Sequence, residues 1–541
     1  MVLASQVPFS VTYSPSDNVF GNYKRIELPL DGEAAFGTSS IEEVIAAEKG
    51  KHVVLSHKEY PHISLRIKQM SRKTKNVDEM MISKSSPGPK YNHSDPSAFC
   101  DPTVTSWSGY VDTIDGKSLF FYFFESRDNP SKDPVLLWLT GGPGCSSSLG
   151  LFMELGPCSI PSRGGKLSEG PPINGTVWNP YSWNNGASIF FLDQPVDVGY
   201  SYSRYGVHTY DSDQGSKDVY AFLRIFFSSF DKFQGNDFVM TGESYAGRYL
   251  PRYASQIMDQ NHRISEKAIK EGKKVKKGEL INLKKVAIGN GLTDVAVQTP
   301  SYYDFTCTRK GGVAPILSIE DCKDLRAWRD RCLIWVKRVC RDTYNKEDCD
   351  IAENTCATQF TAAYFNTGRN PYNVEDHCLA GYEPNLCYAV MEDIRGYLDR
   401  EDVRELIGAE PISSIGKFKS CNNDVAQGFN INSDENIQNV DYVAGLLERN
   451  IDVMIYVGKL DWICNHIGNR AWVEKMEWTD MEEFHKSKQY TWIVDGQEVG
   501  STQRGGGLTW ATVEGAGHMV PYDKPKIALE MLTRFLADEK L

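Results

Sequence analysis

The chain has 541 residues, 41% of them hydrophobic and 11% aromatic, and a formal net charge of −12 at pH 7. This length and composition provide for a large buried core, built as one big α/β domain with appendages rather than as several equal domains. The acidic balance argues against nucleic acid as the main partner, and the lack of any run of about 18 apolar residues argues against a transmembrane helix.

In chain order, the amino terminus MVLASQVPFSVTYSPSD has neither a basic n-region nor an apolar stretch. A signal peptide is therefore absent, already removed or missing. Residues 1–97 are charged with few long apolar patterns, and 71–98, SRKTKNVDEMMISKSSPGPKYNHSDPSA, reads as an exposed linker. From Trp107 the pattern changes. SGYVDTIDGKSLFFYFFESR reads as a hairpin around an Asp115-Gly116 turn. PVLLWL (134–139) reads as a buried strand ending at Gly141-Gly142-Pro143-Gly144, and SIFFLDQP (188–195) as another, followed by an amphipathic helix around 216–230. DFVM leads into a turn at Ser244 and a helix beginning RYLPRYASQIM, and KKVAIGNG (284–291) ends at paired glycines. The lysine-rich run Glu266–Lys285 reads as a solvated loop. IDVMIYVG (451–458), LTWATVEGAGH (508–518) and a helix KIALEMLTRFLAD (526–538) close the chain.

Strands alternating with helices predict an α/β fold: a mostly parallel sheet with helices on both faces. Roughly 300–395 interrupts the alternation as a disulfide-stapled helical insertion. Eight of the thirteen cysteines fall in the 81 residues from Cys307 to Cys387. No C-x-x-C pair or Cys/His ligand spacing appears, so disulfides in an oxidising compartment are expected rather than a metal site. Sequons at Asn92 and Asn174 agree with that compartment.

Gly242-Glu243-Ser244-Tyr245-Ala246 has the form of a nucleophile elbow, with alanine in the last small position. In an α/β-hydrolase fold the acid and the base follow the serine in chain order, at later strand ends. His518, in the Gly-rich loop after the last strand, is the expected base, and His466 the competitor. Asp461, after the preceding strand, is the expected acid, with Asp294 the fallback. The oxyanion is expected to meet the backbone N–H groups of Tyr245 and Gly142.

LWLTGGPGCSS, GESYAGRY, DWICN and GAGHMVPYDKP, together with WNPYSWNNGASIFFLDQPVDVGYSYS, resemble the serine carboxypeptidases, most closely the fungal carboxypeptidase Y type, from about Cys100 to the carboxyl terminus. SHKEYPHISLRIK (56–68) resembles the end of the fungal propeptides. The resemblance implies a pro-segment over 1–97 that acts as an intramolecular inhibitor, processed between SRKTK and Cys100, and a catalytic domain over 98–541. It implies removal of single residues from peptide and protein carboxyl termini at acidic pH, without metal or cofactor, in a vacuole, lysosome or secretion. The substrate carboxylate would be held by Gly141 N–H, Glu154 and Glu243, with Thr140 standing where the family commonly has asparagine. Two adjacent carboxyls cannot readily both ionise, so one would keep a proton and donate it.

The same resemblance implies Met519, Tyr372 and Tyr388 around the leaving residue, and Leu292, Tyr302, Tyr245 and the free thiol of Cys464 around the residue before the scissile bond, with an appetite for apolar side chains. It implies the disulfides Cys145–Cys421, Cys307–Cys322, Cys332–Cys356, Cys340–Cys349 and Cys378–Cys387, leaving Cys100 and Cys158 to form a sixth. An acyltransferase or esterase on the same fold is the alternative. Glu243 separates the two, because acyltransferase relatives often carry aspartate there. An inactive binding relative would need a triad member to be missing. Oligomeric state stays open.

Overall fold

The computed structural model describes residues 24–28, 41–48, 50–57, 60–71, 99–161, 175–276, 278–343, 345–378, 386–436 and 438–541. The expected linker beyond Ser71 and the sequons at Asn92 and Asn174 lie outside the described residues.

The strands that read as continuous apolar runs form the middle of a fourteen-stranded sheet. In chain order the strands are β1 (Lys24–Leu28), β2 (Val53–His57), β3 (Ile63–Ser71), β4 (Ser106–Thr113), β5 (Lys117–Phe124), β6 (Val135–Leu139), β7 (Ser188–Leu192), β8 (Phe238–Glu243), β9 (Leu283–Gly289), β10 (Asp452–Gly458), β11 (Tyr490–Val494), β12 (Gln497–Gly505) and β13 (Leu508–Val513). Their spatial order is β1-β2-β3-β4-β5-β7-β6-β8-β9-β10-β13-β12-β11, with Tyr202–Ser203 paired on β5. The run from β7 to β13 is parallel throughout, and the antiparallel strands lie outside it.

Parallel strands need both faces covered, and both are. On one face pack Phe222, Leu223 and Phe226 of α2 (Ser212–Ser229) and Tyr249, Leu250 and Tyr253 of α3 (Ala246–Lys270). On the other lies Met391-Ile394-Tyr397-Leu398, a 3.6-period stripe that packs with Leu136 and Trp138. The carboxyl-terminal helix adds Met531 and Phe535 against Met454 and Tyr456. This is the α/β-hydrolase fold, as the motifs imply.

Between β9 and β10 the chain leaves the sheet for α4 (Val295–Cys307), α5 (Ile319–Val336) and α6 (Lys346–Phe365), which enclose their own core of Phe305, Leu325, Phe360 and Tyr364. Cys307–Cys322, Cys332–Cys356 and Cys340–Cys349 staple these helices. Cys378–Cys387, Cys100–Cys158 and Cys145–Cys421 are also bonded, and Cys464 is free and buried. The excursion runs to Asp452, longer than the expected insertion, because the helices after 390 turn their apolar stripes back onto the sheet. The lysine-rich run begins as the last turns of α3 rather than as loop.

Two further differences stand out. The β11–β12 hairpin was not expected, although Asp495 and Gly496, both at positive φ (52° and 77°), form its turn. And β3 is no loose leader. Ile63, Leu65 and Ile67 alternate into the same core as Trp107 and Val111. On its other face Arg66 is buried, its Nε 2.5 Å from Asp112 and its Nη1 2.8 Å from Glu410.

Candidate active site

β8 is hydrogen-bonded on both sides, to β6 and β9, so its carboxyl end is fixed in space. Ser244, the next residue, has φ +63°, a conformation non-glycine residues rarely adopt. The neighbouring chain enforces it. Ser244 N donates to Gly289 O at 3.0 Å, and Ser244 O accepts from Gly247 N and Leu292 N, each at 2.9 Å. The serine is thereby held on a tight turn, half-buried, with its side chain on a cleft. The loop after β6 lies directly against this turn. A Cβ on Gly141 would stand 2.3 Å from Tyr245 N and 2.8 Å from Ser244 Cβ, so only glycine fits. Gly142, at φ +112°, follows it and lines the Ser244 cleft. The Cys145–Cys421 bond anchors the end of this loop.

His518 and Asp461 come from the loops after β13 and β10. His518 Nδ1 lies 2.8 Å from Asp461 Oδ2, and both are almost wholly buried. The carboxylate takes three more donors: Asn290 Nδ2 at 2.7 Å, Ile463 N at 3.1 Å and Cys464 N at 3.3 Å. Asn290, at the end of β9, was not singled out in the sequence. Its only signal there is its place between two glycines after a strand. Its Oδ1 also accepts from Gly458 N at 3.1 Å, tying the acid's own loop to β9. His518 N donates to Tyr372 O at 2.7 Å, and the Tyr372 ring packs edge-on against the imidazole.

The competing residues are engaged elsewhere. Asp294 is ion-paired with Arg341. His466 opens a helix with Nε2 3.3 Å from Lys310 O, and burial pulls its pKa down to about 4. Donor atoms of Asp461, Cys464 and His518 lie within 4.8 Å of one another, the one such cluster among the described residues. A metal would need the thiolate, however, and burial beside Asp461 pushes the Cys464 thiol well up.

Glu243, immediately before Ser244, points into the protein beside Glu154, which ends the short helical turn Gly150–Glu154. Both side chains are buried, 1% and 4% exposed. Both oxygens of Glu154 and Oε2 of Glu243 have no protein donor. Two buried carboxylates without donors or cations can persist only by holding protons. Accordingly burial pushes Glu154 up to about 8, and burial together with the charge of Glu154 pushes Glu243 well above the usual range. Thr140 is buried, and its Oγ1 accepts the indole N–H of Trp138 at 3.0 Å, leaving the hydroxyl hydrogen as its remaining donor.

The cleft at Ser244, about 250 Å³, is lined by Gly142, Tyr245, Leu292, Tyr302, Tyr372 and Cys464, so most of the expected pocket residues share one space. Met519 and Tyr388 do not line it. They pack in the core behind, where the Tyr388 ring sits 6.3 Å from that of Tyr372. Glu353 and Glu435, which the sequence did not single out, also line the cleft.

A family model described as serine carboxypeptidase matches residues 96–538. A vacuolar serine-type carboxypeptidase of Saccharomyces cerevisiae is 37% identical over 448 residues, 82% of each chain. Carboxypeptidase Y of Komagataella phaffii is 38% identical over 434 residues, 80% of this chain and 76% of the relative. The crystal structure of Kex1, a prohormone-processing carboxypeptidase of Saccharomyces cerevisiae, superposes with a TM-score of 0.66 at 23% identity, over 82% of this chain and 92% of that one, a likeness of fold.

Proposed function

The chain belongs to the serine carboxypeptidase family, and from that premise we propose how it works. Ser244 attacks the carbonyl of the last peptide bond, and His518 takes the hydroxyl proton. Asp461 orients the imidazole and stabilises its charged form. Gly142 N–H and Tyr245 N–H receive the oxyanion. The leaving amino acid takes a proton from His518, and water then releases the acyl group by the same route in reverse. The substrate's terminal carboxylate is bound by Gly141 N–H, the Thr140 hydroxyl and the Glu154–Glu243 pair, whose shared proton turns an acid into a donor.

The observation that carries this reading is the buried carboxyl pair beside the serine, with three oxygens that no group outside the pair satisfies. Because the donor is a bound proton, activity belongs to acidic and neutral pH, and we assign the enzyme to a vacuole or the secretory pathway. Six disulfides and the vacuolar relative support that assignment. We further propose residues 1–97 as the pro-segment and intramolecular inhibitor, with β3 completing the sheet. Among the described residues none from 24–71 lines the Ser244 cleft, so the segment's buried strand supports a folding role more directly than occlusion. The test is cleavage of a blocked dipeptide as free acid and as amide. Carboxypeptidase action requires strong preference for the acid below about pH 7, and equal cleavage of both would refute it. Limited proteolysis between 71 and 100 should raise that activity, and an unchanged rate would remove the inhibitor assignment.

A further inference from the structure

The cleft beside Ser244 contains two acids that the chemistry above does not use. Glu353 lies on α6, where Glu353, Asn354, Ala357 and Thr361 line the cleft at i, i+1, i+4 and i+8, one helical face. Glu353 is 7% exposed, yet its Oε1 has no hydrogen-bond partner, and Oε2 has only the Thr299 hydroxyl, 3.4 Å away. Glu435 also lines the cleft, from the short turn Asp434–Asn436. The cations nearest these acids, Arg248 and Arg341, act on them through space. Arg341 pairs with Asp294, and Arg248 donates to the carbonyls of Thr293 and Asp434. The neighbouring Asp434 is itself held by Arg252 at 2.8 Å.

We propose that Glu353 and Glu435 form the specificity site for a cationic side chain, lysine or arginine, on the substrate residue preceding the scissile bond; this rests on the carboxypeptidase reading of the same cleft. Leu292 and Tyr302 offer apolar wall for the methylene stem of such a side chain, and the ring of Tyr302 offers a face that attracts a cation. Burial and the charge of Glu435 hold Glu353 up at about 8, so in the empty site Glu353 keeps its proton beside Glu435. An entering ammonium or guanidinium displaces the proton of Glu353 to solvent and takes its place as counter-charge, with N–H donors for the oxygen that has none. A neutral side chain supplies neither. The apolar appetite expected from the resemblance is thus overlaid by an acidic floor.

The experiment compares two blocked dipeptides, benzyloxycarbonyl-Lys-Leu and benzyloxycarbonyl-norleucine-Leu, which differ by the ammonium group. The expected wild-type kcat/KM favours lysine by about tenfold or more. Glu353→Gln and Glu435→Gln should each lower the lysine value by about tenfold while leaving norleucine within about twofold, which also shows that each variant is folded. Equal wild-type rates on the two substrates, or parallel losses on both in each variant, would overturn the proposal with the carboxypeptidase reading intact. Failure of the wild type on both would overturn both.

Discussion

Replacing Glu243 by glutamine removes one of the two ionisable carboxyls while keeping a side chain of the same size with N–H donors. Wild type presents to the substrate carboxylate an O–H donor held by two carboxyls that burial keeps protonated, Glu154 up to about 8. A hydrogen bond to a charged acceptor contributes about 1.5–3 kcal/mol. The amide keeps part of that, so a loss of about 1.4 kcal/mol, roughly tenfold in kcat/KM, is expected near pH 5. Above about pH 8 the wild-type pair loses the proton it donates and gains negative charge, whereas the variant keeps the glutamine N–H as a donor although Glu154 still ionises. The ratio of wild type to variant should therefore shrink to less than about threefold near pH 9. The assay is kcat/KM on a blocked dipeptide acid across pH, with the corresponding amide as reference. A ratio that stays constant with pH, or an equal loss on the amide, would mean that Glu243 only shapes the turn.

Asn290 holds both Asp461 and the loop that carries it. Asn290→Ala should lower kcat by roughly tenfold with little change in KM, as for a positioning residue, and a pure KM effect in steady-state kinetics would contradict that role. Thr140→Asn, which restores the donor common in the family, should lower KM for free-carboxylate peptides, and an unchanged KM would remove Thr140 from the carboxylate site. Stability should also depend on pH. Asp193, raised to about 7, and Glu154 and Glu353, each raised to about 8, all bind protons more tightly folded than unfolded. Their contribution is fully present below the ordinary carboxylate range and is lost as pH rises towards 8. At about 1.4 kcal/mol per pKa unit, each costs the fold a few kcal/mol by then, so thermal denaturation should show Tm falling from pH 5 to pH 8. A flat or rising Tm would refute it. Arg66→Ala would leave Asp112 buried at the β3–β4 seam with only Arg204, 3.6 Å away, and the Ser118 hydroxyl, at a cost of about 3 kcal/mol; an unchanged Tm would show that β3 is dispensable to the fold.

The parts of this site visible in the sequence are those carried by contiguous chain. The strand, glycine and serine of the Ser244 turn, the glycine loop after β6 and the Gly-rich loop holding His518 each announce themselves within about ten residues. What the sequence hides is set by packing across long separations. Asn290 looks like a turn residue until β10 brings Asp461 beside it. Glu353 looks like a surface acid on a cysteine-bearing helix until α6 turns that face to the cleft. The same reason explains β3, whose three inward residues are surrounded by charge in HISLRIK, and the β11–β12 hairpin, in whose first strand Tyr490, Thr491 and Ile493 are exposed and only Trp492 and Val494 reach the core. The end of the insertion is hidden in the sequence because cysteine density fades before the helices that return to the sheet.

The most direct measurement follows, by mass spectrometry, a peptide with a free carboxyl terminus and its carboxyl-terminal amide, incubated at about pH 5 with wild type and with Ser244→Ala. Stepwise loss of single residues from the free-acid peptide by wild type alone, with the amide largely intact, is the predicted result. Internal cleavage, equal attack on the amide, or undiminished activity of the Ser244→Ala protein would contradict it.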